Sequence, residues 1–329
     1  MTKRRGSVSN HRSNGKIDPD NFGEAFLNES PKSIYDQCIS DFKNIIPLDQ
    51  FEKIVHGYNQ GVEQYKLEHI SHLGEHRHYL WRDQSGKKAL SIYFDSADLI
   101  HRLVVHEYKT FPKTDATLSE VSYTMPVNSD WLVFWGGANE FINYHYAFPS
   151  QRYAYDLLIM EKGKTHKGTP MKNENYHAFN KDIIAPAGGR VVKVLNNIPD
   201  NVPGEMNEKQ PAGNYIILQH AKKEYSLLAH LKESSIKVDK GDIVQAGDVI
   251  AKSGNSGNSS EAHIHFQVMD APKIHKCRSI PIRFNDQSRP VQGDIVKRTS
   301  NGTTKRFNPD ALGPEGSPLI PEFLTRIFK

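Results

Sequence analysis

From Trp131 to about residue 270 the apolar residues recur with period 2, punctuated by Gly and Pro, and almost no stretch repeats at the helical period. A chain patterned this way must place alternate side chains on opposite faces of extended strands, so this region reads as mostly β. Within it, IIAPAGGRVVKVL (183–195) and IKVDKGDIVQAGDVIAKSG (236–254) echo one another, both setting turn glycines between short Val/Ile strands. The spacing V-x-x-G-D-x-V-x-x-G-D-x-I from Val238 folds a strand back across a small sheet, as barrel-sandwich hybrid folds do. A lipoyl-like or sugar-phosphotransferase-like carrier barrel would use the same pattern, so the repeat speaks to fold and not to chemistry.

The rest of the 329-residue chain is patterned differently, and its length accommodates about two domains. Residues 1–30 carry Lys3, Arg4, Arg5, Arg12 and Lys16 among Ser, Asn and Gly, and read as a flexible basic tail. Residues 31–108 read as a small α+β accessory domain. Pro31 opens a helical stripe through Ile34, Ile39, Phe42 and Ile45; a second helix covers Leu48 to Tyr58; four strands follow over Val62–His72, His78–Arg82, Lys88–Phe94 and Ile100–Tyr108. The order of elements resembles cystatin-like or nuclear-transport-factor-like accessory domains. Residues 109–130 read as a connector, 131–290 as the β domain and 291–329 as a C-terminal extension, with an apolar stretch over Leu319 to Phe328 suited to a short helix.

Charge and cysteine content narrow the class only slightly. Forty-two basic against 38 acidic residues leave a net charge of +4, which gives nucleic-acid binding no particular support. Cys38 and Cys277 are too few and too far apart for a disulfide framework. The opening MTKRRGSVSNHRSNGKIDPDNF lacks the apolar stretch of a signal peptide, and no 18-residue apolar span suggests a transmembrane segment.

Chemistry concentrates in three places. His263-Ile264-His265 lies in the strand AHIHFQV, where alternation puts both imidazoles on one face about 6–7 Å apart, a spacing suited to one ring on a metal and its neighbour handling a proton. Alone, the same pattern also fits two polar groups on an exposed strand face. His230 ends the strand YSLLAHL, and Asp156 precedes the apolar run Leu157–Met160. Each has a plain structural reading, a satisfied histidine or a carboxylate at a sheet edge. Upstream of the paired histidines, SGNSGNSSEA supplies glycines for the rim of a cleft.

Taken in order, Asp156, I-A-P-A-x-G-x-V from Ile184, G-N-Y-I-I-L-Q-H at 213–220, S-L-L-A-H-L at 226–231 and G-N-S-G-N-S-S-E-A-H-I-H-F at 254–266 resemble the lysostaphin-like (LytM-type) zinc metallopeptidases over roughly residues 131–270. The resemblance implies a duplicated hybrid motif with an antiparallel sheet and an open groove. It also implies one Zn2+ per chain, activity as an endopeptidase on peptidoglycan stem peptides or cross-bridges, and an extracellular or cell-wall setting. The N-terminal domain would then dock a protein partner or the wall. Carried onto this chain, the resemblance implies Asp156 and His265 as metal ligands, with His263 and His230 serving the reaction.

One position departs from the pattern. The family's first ligand, a His four residues before the Asp, falls on Arg152 here, and a guanidinium has no lone pair to offer a metal. His145 in NYHYAFPSQRYAYD is the replacement, because a hairpin turn at Pro149-Ser150 would set residue 145 opposite 154 or 155. The competing reading is a barrel that has lost its first ligand and serves as a peptidoglycan-binding or regulatory module. Two insertions, Glu161–Asp182 and Pro199–Pro211, would wall the groove. Among the other histidines, His69, His72, His76 and His78 read as a polar hairpin face rather than an accessory metal site, His166 and His177 as exposed, and His220 as structural.

Overall fold

The computed structural model describes residues 12, 13, 15–298 and 307. Lys3, Arg4 and Arg5 of the basic tail and the stretch Leu319 to Phe328 lie outside the described residues. The N-terminal part is a four-stranded antiparallel sheet, Tyr65–Leu73, His76–Asp83, Lys88–Phe94 and Ile100–Glu107, joined in chain order. Helices Phe22–Asn28, Pro31–Asp36, Ser40–Ile45 and Leu48–Tyr58 precede it. Helix Leu48–Tyr58 places Asp49 in its first turn, where a carboxylate opposes the positive end of the helix dipole, and buries Phe51 and Val55 one turn apart. Those two side chains meet Tyr79, Trp81, Leu90, Ile92 and Phe94 from one face of the sheet.

Two sequence expectations are corrected here. Residues 17–28 are not part of a flexible tail, because Ile17, Phe22, Ala25 and Phe26 are buried in this same core. A polar average over thirty residues conceals one short amphipathic turn, and its apolar side chains have a sheet to cover. The stripe from Pro31 to Ile45 is two helices; between them Cys38 bridges to Ile100, and Ile45 is left 83% exposed. In the histidine-rich hairpin, read as a polar face, His72 is exposed and His69 and His76 are half-buried, while His78 lies in the interior. Leu80 and Ala89 pack against Phe141 and Ile142, and fully buried His78 bonds Gln292 Oε1 at 2.7 Å and Ser91 Oγ at 2.8 Å.

The β region is built on one nine-stranded sheet. Its order is Ile243–Val244, Gly189–Leu195, Asn214–Ala221, Glu224–Leu231, Ile264–Met269, Tyr155–Leu158, Trp131–Trp135 and Ile295–Val296, with Ser279–Ile280 pairing beside Ile264–Met269. All of these pairings are antiparallel. The two echoing segments pair with each other, Ile183 with Ala251 and Gly189 with Val244. The segment read as a connector contributes to this body: Ser122–Tyr123 pairs with Arg283–Phe284, and Tyr123, Met125 and Val127 enter the core. Ile295–Val296 likewise pairs with the strand at Trp131, so the sheet extends past residue 290.

Alternation on the central strands decides what faces the cleft. Tyr155, Leu157, Ile264 and Phe266 point into the main core. Asp156, His265 and Gln267 occupy the intervening positions and therefore share the opposite face. Among the described residues no helix is long and apolar enough to cross a membrane.

Candidate metal centre

Antiparallel register places His265 directly across from Asp156 on one side and from Ala229 on the other. His145 arrives differently from the expected hairpin. Residues Tyr144–Ala147 form a 3-10 helix rather than a strand, and Asn143 caps it, its side-chain oxygen accepting from the His145 N–H. The same asparagine donates to the carbonyls of Gly137, Arg152 and Ala154. The helix is thereby tied to the chain that leads into Asp156, and His145 reaches the site without strand pairing.

Arg152 braces this arrangement. It is 8% exposed, its Nε donates to the Tyr146 carbonyl at 3.0 Å, and its guanidinium lies 3.4 Å from the centre of the Phe111 ring. Arg152 thus holds down the helix that carries His145.

Atoms of His145, Asp156 and His265 that could serve as ligands all lie within 4.8 Å of one another, and all three residues are buried. His145 Nε2 is 2.9 Å from Asp156 Oδ2, and His265 Nδ1 is 2.9 Å from Asp156 Oδ1. On the far side of each ring stands a glutamine oxygen: Gln151 Oε1 at 2.8 Å from His145 Nδ1, and Gln267 Oε1 at 3.0 Å from His265 Nε2. An amide oxygen only accepts, so the far nitrogens carry hydrogens; the near nitrogens donate to Asp156 when the rings are charged and offer lone pairs toward a cation when they are neutral. The donor set of two imidazoles and a carboxylate, each imidazole oriented by a second partner, fits a divalent metal ion.

Burial alone would raise the Asp156 carboxyl, yet His145 and then His265 outweigh it and hold Asp156 well below the usual carboxylate range. For His265 burial pushes down, while the hydrogen bond and charge of Asp156 push up and prevail, leaving it above the ordinary histidine value.

His230 and His263 stand beside this group, their ring centres 4.6 Å apart, with His230 6.0 Å from the His265 ring. His230 Nδ1 is 2.9 Å from the Ser256 carbonyl, and His263 Nδ1 is 2.9 Å from the Glu261 carbonyl. Each Nδ1 therefore carries its hydrogen, and each Nε2 is left as a proton acceptor. Burial, with His263 and His265 adding to it, keeps His230 well below the ordinary histidine value and so uncharged. His230 also has a positive φ of 60°, a costly conformation for a non-glycine residue and one found where a side chain must be aimed. The open cleft here is lined by Tyr144, His145, Gln151, Ala229, His230 and His265 among others.

Both insertions border this region. Asn201 of the second donates to the carbonyls of Gly257 and Ser259, and Thr165 of the first donates to Glu261. His220 lies away from the centre, bonded to the Gly188 carbonyl and Ser226 Oγ, both at 2.8 Å. His166 bonds the Gly168 carbonyl within its own loop, and His177 lies 3.6 Å from Glu161. Sequence reasoning missed Gln267 and Gln151. Period 2 from His265 would have found the first; no local pattern marks the second.

Residues 164–277 match the family described as Peptidase family M23. The matched segment holds His230, His263 and His265 and begins after His145 and Asp156. Peptidoglycan DD-endopeptidase ShyA of Vibrio cholerae is 38% identical over 120 residues, 35% of this chain and 26% of that protein. An uncharacterized metalloprotease of Buchnera aphidicola is 27% identical over 125 residues, 38% of this chain and 32% of its own length. Among solved structures, the catalytic domain of the antimicrobial peptidase lysostaphin from Staphylococcus simulans aligns at 22% identity and a TM-score of 0.25, over 39% of this chain and 74% of that one. The chain spans about a third or less of the length of the curated relatives it matches.

Proposed function

We propose that this chain, whose residues 164–277 match peptidase family M23, is a zinc-dependent endopeptidase cleaving peptide bonds of bacterial cell-wall peptidoglycan. The observation that carries this reading is the buried convergence of His145, Asp156 and His265. These three would hold the ion, His145 through Nε2 and His265 through Nδ1. When bound in such a three-donor site, zinc polarises a carbonyl and lowers the pKa of water to about 7.

The protein's own groups supply the proton handling. His230 lines the cleft and stays uncharged, so its Nε2 accepts a hydrogen bond from the attacking water and orients it. His263 is half-buried, its ring centre 4.6 Å from that of His230; its Nε2 takes the proton and returns it to the leaving amine. The carbonyls of Ser256 and Glu261 hold both rings in the tautomer this requires. The reading of an inactive barrel rested on Arg152, and it is less favoured because His145 places a ring nitrogen beside Asp156 where Arg152 offers none.

Purified cell walls incubated with the protein should release new amino termini, and release should stop on chelation and return with added zinc. Walls that remain intact under a protein carrying one zinc per chain would refute the proposal.

A further inference from the structure

We infer that Gln151 and Gln267 are positioning residues that work as one unit, fixing which nitrogen each of His145 and His265 offers to the metal. The inference rests on the metal reading above and assigns a role to residues outside the ligand set.

The two glutamines are joined through the backbone. Gln267, fully buried on the strand Ile264–Met269, donates from Nε2 to the Ser150 carbonyl at 3.0 Å. Because a carbonyl only accepts, that bond fixes the orientation of the Gln267 amide and turns Oε1 toward His265 Nε2, 3.0 Å away. Ser150 is the residue before Gln151, whose Oε1 stands 2.8 Å from His145 Nδ1. One polar chain therefore runs from His265 through Gln267 and the Ser150–Gln151 turn to His145. Its two ends hold the far sides of both imidazoles, while their near sides meet on Asp156.

The turn is anchored independently of the site. Ser279 N donates to the Pro149 carbonyl at 2.9 Å, and the Tyr153 N–H donates to Ser279 Oγ at 3.1 Å. The glutamines thus read their positions from the sheet and not from the histidines they orient. A ring free to rotate or to change tautomer would present an N–H where a lone pair is required.

The test measures zinc affinity by competition with a chromophoric chelator in the full chain, for the wild type, Gln151→Leu, Gln267→Leu and the double variant. Each single change should weaken binding by about 10–100-fold, and the double change by less than the product of the two. Gln151→Glu, which keeps an acceptor facing Nδ1, should retain most of the affinity. Proton–nitrogen NMR of the zinc-loaded wild type gives a second readout that needs no variant to fold: Nδ1–H on His145 and Nε2–H on His265. The opposite tautomers, or a single Leu variant within about twofold of wild type, would overturn the pairing while leaving the metal reading intact. A wild type that takes up no zinc would overturn both.

Discussion

Replacing His145 by alanine is the sharpest probe of the centre. Structural zinc sites with four protein donors bind with about 10–16 kcal/mol, so one donor of similar strength is worth about 3 kcal/mol, or about a hundredfold in affinity. The deletion has a second cost here. Asp156 is buried and ionised, and His145 is the larger of the two influences that keep it so. Breaking one partner of a buried pair costs about 3–5 kcal/mol, because the remaining charge has lost its compensation. His145→Ala should therefore bind zinc about a hundredfold more weakly and also unfold at lower denaturant concentration when zinc-free. His166→Ala is the matched control, since that ring touches only its own loop. Arg152→Ala should fall between them: it keeps every donor but loses the bond to the Tyr146 carbonyl and the contact with the Phe111 ring. Metal content after dialysis, chelator competition and denaturant titration read all three effects. A His145→Ala protein with wild-type zinc affinity would show that the first ligand lies elsewhere.

Other expectations follow from the same geometry. His263→Ala should lower wall hydrolysis by about a hundredfold or more while zinc content stays at wild type, since that ring handles protons and does not ligate; loss of zinc instead would contradict the division of roles. Acid should destabilise the fold through two histidines whose values burial pushes down to about 4, His78 and His220. As pH falls from about 6.5 to 4 the unfolded chain takes up protons that the folded chain refuses. Each group then removes about 3 kcal/mol, from 2.5 pH units at 1.36 kcal/mol each. Denaturant midpoints that do not move between pH 7 and 4 would rule this out. Gly213→Ala should cost about 2 kcal/mol or more, since φ is +56° and an added Cβ would lie 2.4 Å from the Ser256 backbone. Because the Ser256 carbonyl aims His230, activity should fall further than stability alone accounts for, and an unchanged turnover number would sink that link.

Much of the site was legible from alternation and motif order. His265 could be assigned to a polar face because a strand has only two faces, and its apolar neighbour Ile264 had to take the other. The lysostaphin-like motif order likewise follows from the sequence, and the match to the peptidase family agrees with it. His145 was named on a mistaken geometry: the expected hairpin does not form, and Asn143 with Arg152 brings the ring in from a 3-10 helix. The N-terminal helix Phe22–Asn28 and the burial of His78 were hidden, because each depends on a surface contributed by residues distant in the chain.

Period-2 patterning is a local property, set by the geometry of each residue and its neighbours, so the sequence alone determined a mostly-β body and the face on which its polar side chains stand. Which of those side chains meet is a matter of register and of loop anchoring. Asp156 and His265 are 109 residues apart in the chain and 2.9 Å apart in space, and the Ser150 carbonyl that links the two glutamines has no sequence signature. Only the packed sheet could decide those contacts, because each hydrogen bond exists through the positions of strands that approach one another after the chain has closed long loops.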